Sequence, residues 1–202
     1  MLENAEYNNF LLYKAYKRRQ VMNNRHLELA KNNIELLWVK GDDFTLEEVA
    51  SAKKDNRMLL LDMDFSDVYD LHCYYCDRSV DRFNKDVKKQ KLTTEERIKL
   101  IDQAKELGAR TVNFPGAGEP LLDEGFWEVI EHVHKCNMTS IVFTHGYHLN
   151  EEVLEKLYKF GASIVIKYNT RDFEKQDKIV GKVGDSARVE EVIKLILKYG
   201  FT

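Results

Sequence analysis

Four short apolar runs separated by amphipathic helical segments most strongly constrain the fold of this chain. The runs span residues 58–63, 111–114, 140–144 and 163–167. Continuous apolar runs of this length are typical of strands covered on both faces of a parallel sheet, and parallel strands joined through helices form right-handed βαβ units. The sequence therefore predicts an α/β fold. Because four strands cannot close a barrel, we expect a partial (β/α) barrel with parallel strands in about four to five βα units.

The chain before these runs has a different pattern. Apolar residues recur at three- and four-residue spacing between Leu27 and Leu37, which predicts a helix. Thr45 followed by Glu48 has the form of a capping box, and it predicts a short second helix that runs to about Lys54. We therefore expect two parts: an N-terminal helical extension over residues 1–57, and a partial barrel over residues 58–202 that is incomplete at its C-terminus.

The barrel part carries its own start and stop signals. Thr93 and Glu96 form another capping box. Gly108, Gly161 and Gly200 each follow a helical segment, which fits a glycine in the left-handed position after a helix. Residues 201–202 have the character of the start of a fifth strand. An open sheet edge at this point must be covered by the N-terminal helices, by another chain or by further residues, so an oligomer or a partner chain is one expectation.

Composition limits the classes of partner. The net charge of −3 over 202 residues gives no reason to expect nucleic acid or an anionic membrane as a partner. The apolar runs are too short to span a membrane, and the first residues do not have the pattern of a secretory signal. Two of only three cysteines lie in one Cys-x2-Cys, which argues against a disulfide framework and predicts a reducing, cytoplasmic location.

A polar or glycine-containing segment follows each predicted strand. These segments span residues 69–76, 115–120, 144–146 and 167–170. Functional groups in α/β sheets and barrels gather at the C-terminal ends of the strands. We therefore expect the four segments to converge on one rim and to form a site for a small-molecule cofactor.

The first segment would be a Cys-x3-Cys-x2-Cys loop if residue 69 were a cysteine instead of a tyrosine. Cysteine thiolates are the usual protein ligands of iron–sulfur clusters, which makes Cys73 and Cys76 candidate metal ligands. Tyr69 offers a phenolic oxygen whose ordinary pKa is about 10, so it is mostly protonated at neutral pH.

The second segment has the composition of a ligand-binding turn. Gly116 and Gly118 allow positive φ and a close approach of the backbone to a ligand. Glu119 supplies an acceptor for an ammonium group, and Pro120 stiffens the exit from the turn.

These motifs together resemble those of the radical S-adenosylmethionine (radical SAM) family, over roughly residues 58–202. In that family a three-cysteine loop after the first strand holds a [4Fe-4S] cluster, and the open iron binds S-adenosylmethionine. The resemblance implies that Cys73 and Cys76 match the second and third cluster ligands and that Tyr69 falls on the first. It assigns these residues to S-adenosylmethionine: Tyr75, Gly116, Ala117, Gly118, Glu119, Pro120, Thr144, His145, Lys167 and Asn169.

The implied function is that of a radical SAM-type enzyme, or a fragment of one. Such an enzyme generates a 5'-deoxyadenosyl radical that abstracts hydrogen from a substrate. The sequence does not identify the substrate, and we assign no residue to catalysis itself. The alternative is a non-catalytic radical SAM-like scaffold with an incomplete cluster site at Tyr69, acting as a binding or partner subunit.

A structural zinc site is a further hypothesis for the Cys-x2-Cys. His72 could complete it, or Cys136 together with His132 and His134. His132 and His134 are two residues apart on a predicted helix, so we expect them to point to different faces. A thioredoxin-like redox pair is disfavoured, because charged residues follow the loop where that motif would open a helix.

Overall fold

The computed structural model describes residues 39–65, 68–76, 92–116 and 118–201. Within these ranges the helices are α1 (Leu46–Lys54), α2 (Thr94–Glu106), α3 (Phe126–Lys135), α4 (Glu151–Lys159), α5 (Phe173–Val180) and α6 (Asp185–Tyr199), with a short 3-10 helix at Pro120–Leu122. The strands are β1 (Leu60–Asp62), β2 (Thr111–Phe114), β3 (Thr139–Thr144) and β4 (Ser163–Ile166). The helix predicted between Leu27 and Leu37 lies outside the described residues.

The four strands form one parallel sheet in the order β1-β2-β3-β4. Leu61 pairs with Val112, Val112 with Ser140, and Val142 with Ile164, so each strand lies beside the next one in the chain. A helix or a helix-containing connection joins each pair of neighbours. The predicted α/β class, with parallel strands in a partial barrel, is therefore confirmed.

The hydrophobic core lies between the sheet and its helices. Val112, Phe114 and Val142 come from the strands, and α3 contributes Ile130 and Val133. All five side chains are buried. Continuous apolar strands are covered in this way in parallel sheets, which is why the four runs were recognisable in the sequence.

Local signals define several helix ends as expected. Thr45 with Glu48 and Thr93 with Glu96 each form a capping box in which the threonine hydroxyl accepts a backbone N–H and the glutamate carboxylate accepts another. Both predicted helix starts are confirmed. Gly108, Gly161 and Gly200 have φ values of 99°, 65° and 72°, as expected for glycines that end helices.

Residues 39–57 pack against the end of the sheet at which the strands begin. Val39 lies in a small apolar cluster with Ile141 and Val165. The hydroxyls of Thr111 and Ser163, the first residues of β2 and β4, donate to backbone carbonyls of this segment at 2.8 Å. The compact unit that contains the sheet accordingly begins at Val39.

Two features near the C-terminus differ from the sequence prediction. Helix α5 was not predicted; it is capped by Asp172, whose carboxylate accepts the backbone N–H of Lys175, and it ends at Gly181 in the left-handed conformation. Phe201 lies outside any strand and packs its ring against Tyr158, with ring centres 5.6 Å apart. Thr202, the other residue of the expected fifth strand, lies outside the described residues. No helix among the described residues is long and apolar enough to cross a membrane.

Candidate functional site

The loops after the four strands meet at the end of the sheet formed by the C-termini of the strands. The Tyr75 hydroxyl, from the loop after β1, donates to Oδ1 of Asn169, from the loop after β4, at 3.2 Å. The loops after β2 and β3 are joined by Glu119 and Thr144, whose hydroxyl donates to the carboxylate at 2.8 Å. Side chains that are up to 94 positions apart in the sequence therefore share one rim.

The cysteine loop is held against the end of α5. The backbone N–H groups of His72 and Tyr74 donate to the carbonyls of Val180 and Ile179 at 2.8 and 3.2 Å. Gly181 permits this approach, because a Cβ on that residue would lie 2.9 Å from Cβ of His72. The loop is therefore fixed by backbone contacts with a helix that the sequence analysis missed.

Within this loop, Cys73 is 3% exposed and Cys76 is half-buried, and neither forms a disulfide bond. A tight turn brings them together, since the N–H of Cys76 donates to the carbonyl of Cys73 at 3.1 Å. Leu71 and Val180 pack around Cys73. This arrangement supplies two sulfur donors beside each other.

Tyr69 lies beside both thiols. Burial raises the pKa of its hydroxyl well above the ordinary value, and the neighbouring Cys73 and Cys76 raise it further. A protonated phenol is a poor ligand, because metals bind the deprotonated form. The donor set in this loop is thus two thiols and a phenol, and it fits only two of the three thiolate positions that a [4Fe-4S] loop uses. The third cysteine of the chain, Cys136, lies at the end of α3 and not at this rim.

The aromatic residue of the loop forms one wall of the rim. The Lys167 ammonium lies 5.2 Å from the centre of the Tyr75 ring. Burial raises the pKa of the Tyr75 hydroxyl to about 12, with a contribution from the Cys73 thiol, so this hydroxyl stays protonated as a donor to Asn169. Asn169 is held in turn by Gln176, whose side-chain oxygen accepts both its backbone and its amide N–H.

The glycine segment has the backbone that its composition predicts. Gly116 has φ of 80°, and a Cβ there would lie 2.8 Å from the carbonyl oxygen of Gly118. A side chain is therefore excluded on both conformational and steric grounds. Pro120 opens the 3-10 helix that leaves the segment, and Ala117 lies outside the described residues.

Glu119 is buried beneath the rim with 1% of its surface exposed. Its carboxylate accepts hydrogen bonds from the Thr144 hydroxyl and from the backbone N–H groups of His145 and Leu121. Burial nevertheless raises its pKa from 4.5 to about 7, because these donors offset only part of the cost of desolvation. Glu119 thus joins the loops after β2 and β3, and its oxygens are engaged by protein donors.

Asp70 forms a network that sequence reasoning did not identify. Its carboxylate lies 2.9 Å from Nε2 of both His145 and His148, and it accepts a hydrogen bond from the Lys182 ammonium at 3.1 Å. Burial opposes ionisation of Asp70, but the Lys182 hydrogen bond and the neighbouring charges outweigh it and lower its pKa. Lys182 also lies 3.3 Å from the centre of the Tyr147 ring.

The protonation of His145 follows from its burial and its ring contacts, which include Oε2 of Glu119 at 3.1 Å from Nε2. Burial lowers its pKa to about 4, so the ring is neutral at neutral pH. The backbone N–H of Tyr147 donates to Nδ1 at 3.2 Å, so the one proton of the neutral ring is on Nε2, which points to Asp70. His145 is therefore a fixed donor at the rim and not an open base.

Some of these missed residues had a sequence signal and others had none. Asp70 adjoins Tyr69 in the cysteine loop, and His148 follows the predicted Thr144–Gly146 turn, so both lie next to recognised motifs. Gln176 lies in the middle of α5 and Lys182 two residues after its last residue, and nothing in the local pattern marks either of them.

Comparisons with known proteins place the fold and the family. The profile of the Radical SAM superfamily matches residues 70–202. A protein of Granulibacter bethesdensis named PqqA peptide cyclase is 29% identical over 131 residues, which cover 64% of this chain and 34% of the relative.

Solved structures give the same assignment of the fold. Streptococcus suis SuiB bound to its precursor peptide SuiA superposes with a TM-score of 0.60 at 18% identity, over 98% of this chain and 45% of that one. Native anSMEcpe with bound AdoMet superposes with a TM-score of 0.57 at 20% identity, over 71% of this chain and 42% of that one. The chain spans about a third of the curated relative and less than half of these two structures. With two thirds of its own length matched by the family profile, this chain belongs to the radical SAM superfamily, whose members use a [4Fe-4S] cluster and S-adenosylmethionine.

Proposed function

We propose that this chain is the S-adenosylmethionine-binding part of a radical SAM enzyme that abstracts hydrogen from a substrate. Cys73 and Cys76 would hold iron, Tyr75 would contact the adenine, and the backbone of residues 116–118 would hold the methionine end. A cluster bound there supplies the electron that cleaves S-adenosylmethionine. The other residues of this chain would orient the nucleotide and exclude water.

The observation that carries the proposal is the meeting of four separately recognised segments on one rim. The Tyr75–Asn169 hydrogen bond closes one side of this rim, and Lys167 lies close to the same ring. A cationic and an amide side chain beside an aromatic ring are suited to a ribose or a carboxylate next to a stacked base. Glu119 and Thr144 would then position the glycine segment from below.

Tyr69 favours a second candidate, a scaffold that binds S-adenosylmethionine or a partner without a complete cluster. The loop has a phenol, that of Tyr69, where a [4Fe-4S] loop has its third thiolate. The two candidates share the nucleotide site and differ in iron content.

The relatives favour a peptide as the substrate class. One relative is named a peptide cyclase, and a structural neighbour was solved with a precursor peptide.

We also propose that residues 58–202 are a partial barrel preceded by an extension, and that a second chain or additional barrel strands cover its open edge, because an exposed strand edge invites pairing.

Anaerobic reconstitution of the full chain tests the cluster part of the proposal. We expect Tyr69→Cys to take up four irons, because the substitution completes the three-thiolate loop. Fewer than four irons in the parent chain would favour the scaffold candidate over the enzyme. With a chemical reductant added to reduce the cluster, Tyr69→Cys should also release 5'-deoxyadenosine from S-adenosylmethionine. Iron and sulfide analysis and chromatography of the nucleoside products are the measurements.

Tyr74→Cys is the matched control, since it adds a thiol to the same loop at an exposed and misplaced position. It should gain no iron. If Tyr69→Cys binds no more iron than Tyr74→Cys, the cluster assignment is wrong. If the chain with Tyr69 already binds four irons and cleaves S-adenosylmethionine, the phenol is a competent ligand and the scaffold candidate is wrong.

A further inference from the structure

A second group of potential ligands lies on two helices away from the rim. Asp102 comes from the last part of α2, His132 from α3, and Cys136 directly follows α3. Oδ1 of Asp102 lies 2.8 Å from Nε2 of His132 and 3.7 Å from Sγ of Cys136. Sγ of Cys136 lies 3.5 Å from the same Nε2. Two residues separate Cys136 from the start of β3, so this group is at the opposite end of the sheet from the rim.

Oδ1 of Asp102, Nε2 of His132 and Sγ of Cys136 face one point between them and are not arranged as a catalytic proton relay. In a cysteine–histidine–aspartate relay, the carboxylate would contact one ring nitrogen and the thiol the other. Here both contact Nε2 of His132. Burial raises the pKa of the Cys136 thiol, and Asp102 contributes to the rise, so this thiol is not an activated nucleophile.

The mutual distances are close to those of a tetrahedral metal site. Zinc binds sulfur at about 2.3 Å, histidine nitrogen at about 2.0 Å and carboxylate oxygen at about 2.1 Å, and tetrahedral angles then separate these ligand atoms by about 3.3–3.6 Å. The observed 3.5 Å lies within that range and 3.7 Å just above it, while the 2.8 Å between Asp102 and His132 lies below it. Widening that one contact by about half an ångström would bring the three atoms to tetrahedral spacing.

The carboxylate of this group is open to a cation, unlike that of Asp70. The Asp70 carboxylate is already paired with the Lys182 ammonium, and its partner His145 carries a proton on the nitrogen that faces it. Among the described residues, the ion pair recorded for Asp102 is with His132 alone. The positive charge of Lys105 lies close enough to lower the pKa of the Cys136 thiol. The same charge would repel a metal ion bound at this site.

We propose that Asp102, His132 and Cys136 bind one divalent zinc ion that joins α2 to α3. One sulfur, one nitrogen and one oxygen suit this borderline-soft ion. Asp102 is 50% exposed and His132 is 24% exposed, so water can occupy the fourth position. The sequence hypothesis combined Cys136, His132 and His134 with the Cys-x2-Cys pair. In the structure the His134 ring lies against Phe160, with ring centres 5.7 Å apart. The site does not depend on the proposed function of the rim.

Cobalt titration of the full chain tests the proposal, because a cobalt–thiolate bond gives a charge-transfer absorption band in the near ultraviolet. The chain has three cysteines, so two variants can assign the band. Cys73→Ser/Cys76→Ser should keep the band with one equivalent of cobalt, and adding Cys136→Ser to that variant should abolish it. Zinc should displace the cobalt and abolish the band.

Ligand variants and a neighbouring control separate a built site from a lone thiol. In the Cys73→Ser/Cys76→Ser background, Asp102→Asn and His132→Gln should each weaken metal binding by at least about tenfold, since even outer-shell changes cost about 10–100-fold. His134→Gln, on the same helix, should leave the affinity unchanged. Absence of the band in Cys73→Ser/Cys76→Ser, or an affinity that survives both ligand variants, would overturn the proposal.

Discussion

The buried carboxylate of Glu119 gives the strongest test of the electrostatics at the rim. Its pKa is raised from 4.5 to about 7 by burial, so the folded protein binds this proton more tightly than the unfolded chain does. The resulting stabilisation is present in full below about pH 4.5 and is lost as the pH rises through about 7. At about 1.36 kcal/mol per pKa unit, the complete loss is about 3 kcal/mol.

Glu119→Gln removes this titration. The amide can still accept the hydrogen bonds to one oxygen, but its nitrogen meets the donating N–H of His145, so we expect a pH-independent cost of about 1–3 kcal/mol. The difference in unfolding free energy between the parent and Glu119→Gln should therefore shrink by about 2.5 kcal/mol between pH 5 and pH 8. Urea unfolding at several pH values in this range measures the difference.

Taking the difference removes the groups common to both proteins. Asp185 also has a pKa raised by burial, to about 6, and it titrates in both. His145 has the opposite sign: its lowered pKa stabilises the folded state above about pH 6.5, and this stabilisation is lost as the pH falls through about 4. A difference that stays constant, or that grows with pH, would refute the claim that Glu119 is desolvated without full compensation.

Two further predictions concern the packing that supports the rim. Asp123→Ala should lower the unfolding free energy, measured in urea, by about 3–5 kcal/mol, because it leaves the Arg97 guanidinium, 5% exposed, without its carboxylate. The exposed pair of Lys135 and Glu131 is the control. A loss for Asp123→Ala no greater than that for Glu131→Ala would contradict this prediction. Gly181→Ala should destabilise the protein by at least about 1 kcal/mol more than Gly184→Ala, since both glycines have positive φ but only the first Cβ would collide, with His72 at 2.9 Å. Equal losses for the two glycine variants would show that the cysteine loop is not held closely against α5.

The predictable parts of the fold are those with local causes. A capping box needs only Thr45 and Glu48, which are three residues apart, and it appeared as predicted. The apolar runs of the strands were recognisable because both faces of the sheet are covered. The length of β1 was overestimated, because Met58 donates its N–H to the carbonyl of Leu107 at the end of α2 instead of joining the strand ladder.

The parts of the site that escaped prediction depend on contacts between distant residues. Asp70 and Lys182 are 112 positions apart, and neither marks the other in the sequence. The start of α6 is similar, because Gly184 offers no side chain and the cap is supplied by Asp177 of α5, whose carboxylate accepts the Ser186 N–H at 2.9 Å. A pattern read within one segment cannot reveal a partner in another.

The sequence alone determined the order of the four strands and of the helices between them, the loops that carry chemistry and the mismatch at Tyr69. These follow from hydrophobic periodicity and from residue types at fixed spacing, which act over a few residues. Only the tertiary structure decided that Glu119 is buried under its own loop, that the cysteine loop lies against α5, and that Asp102 meets His132 and Cys136. Burial and ion pairing depend on which helices pack together, and a change in those neighbours would alter the pKa of each group without changing any motif.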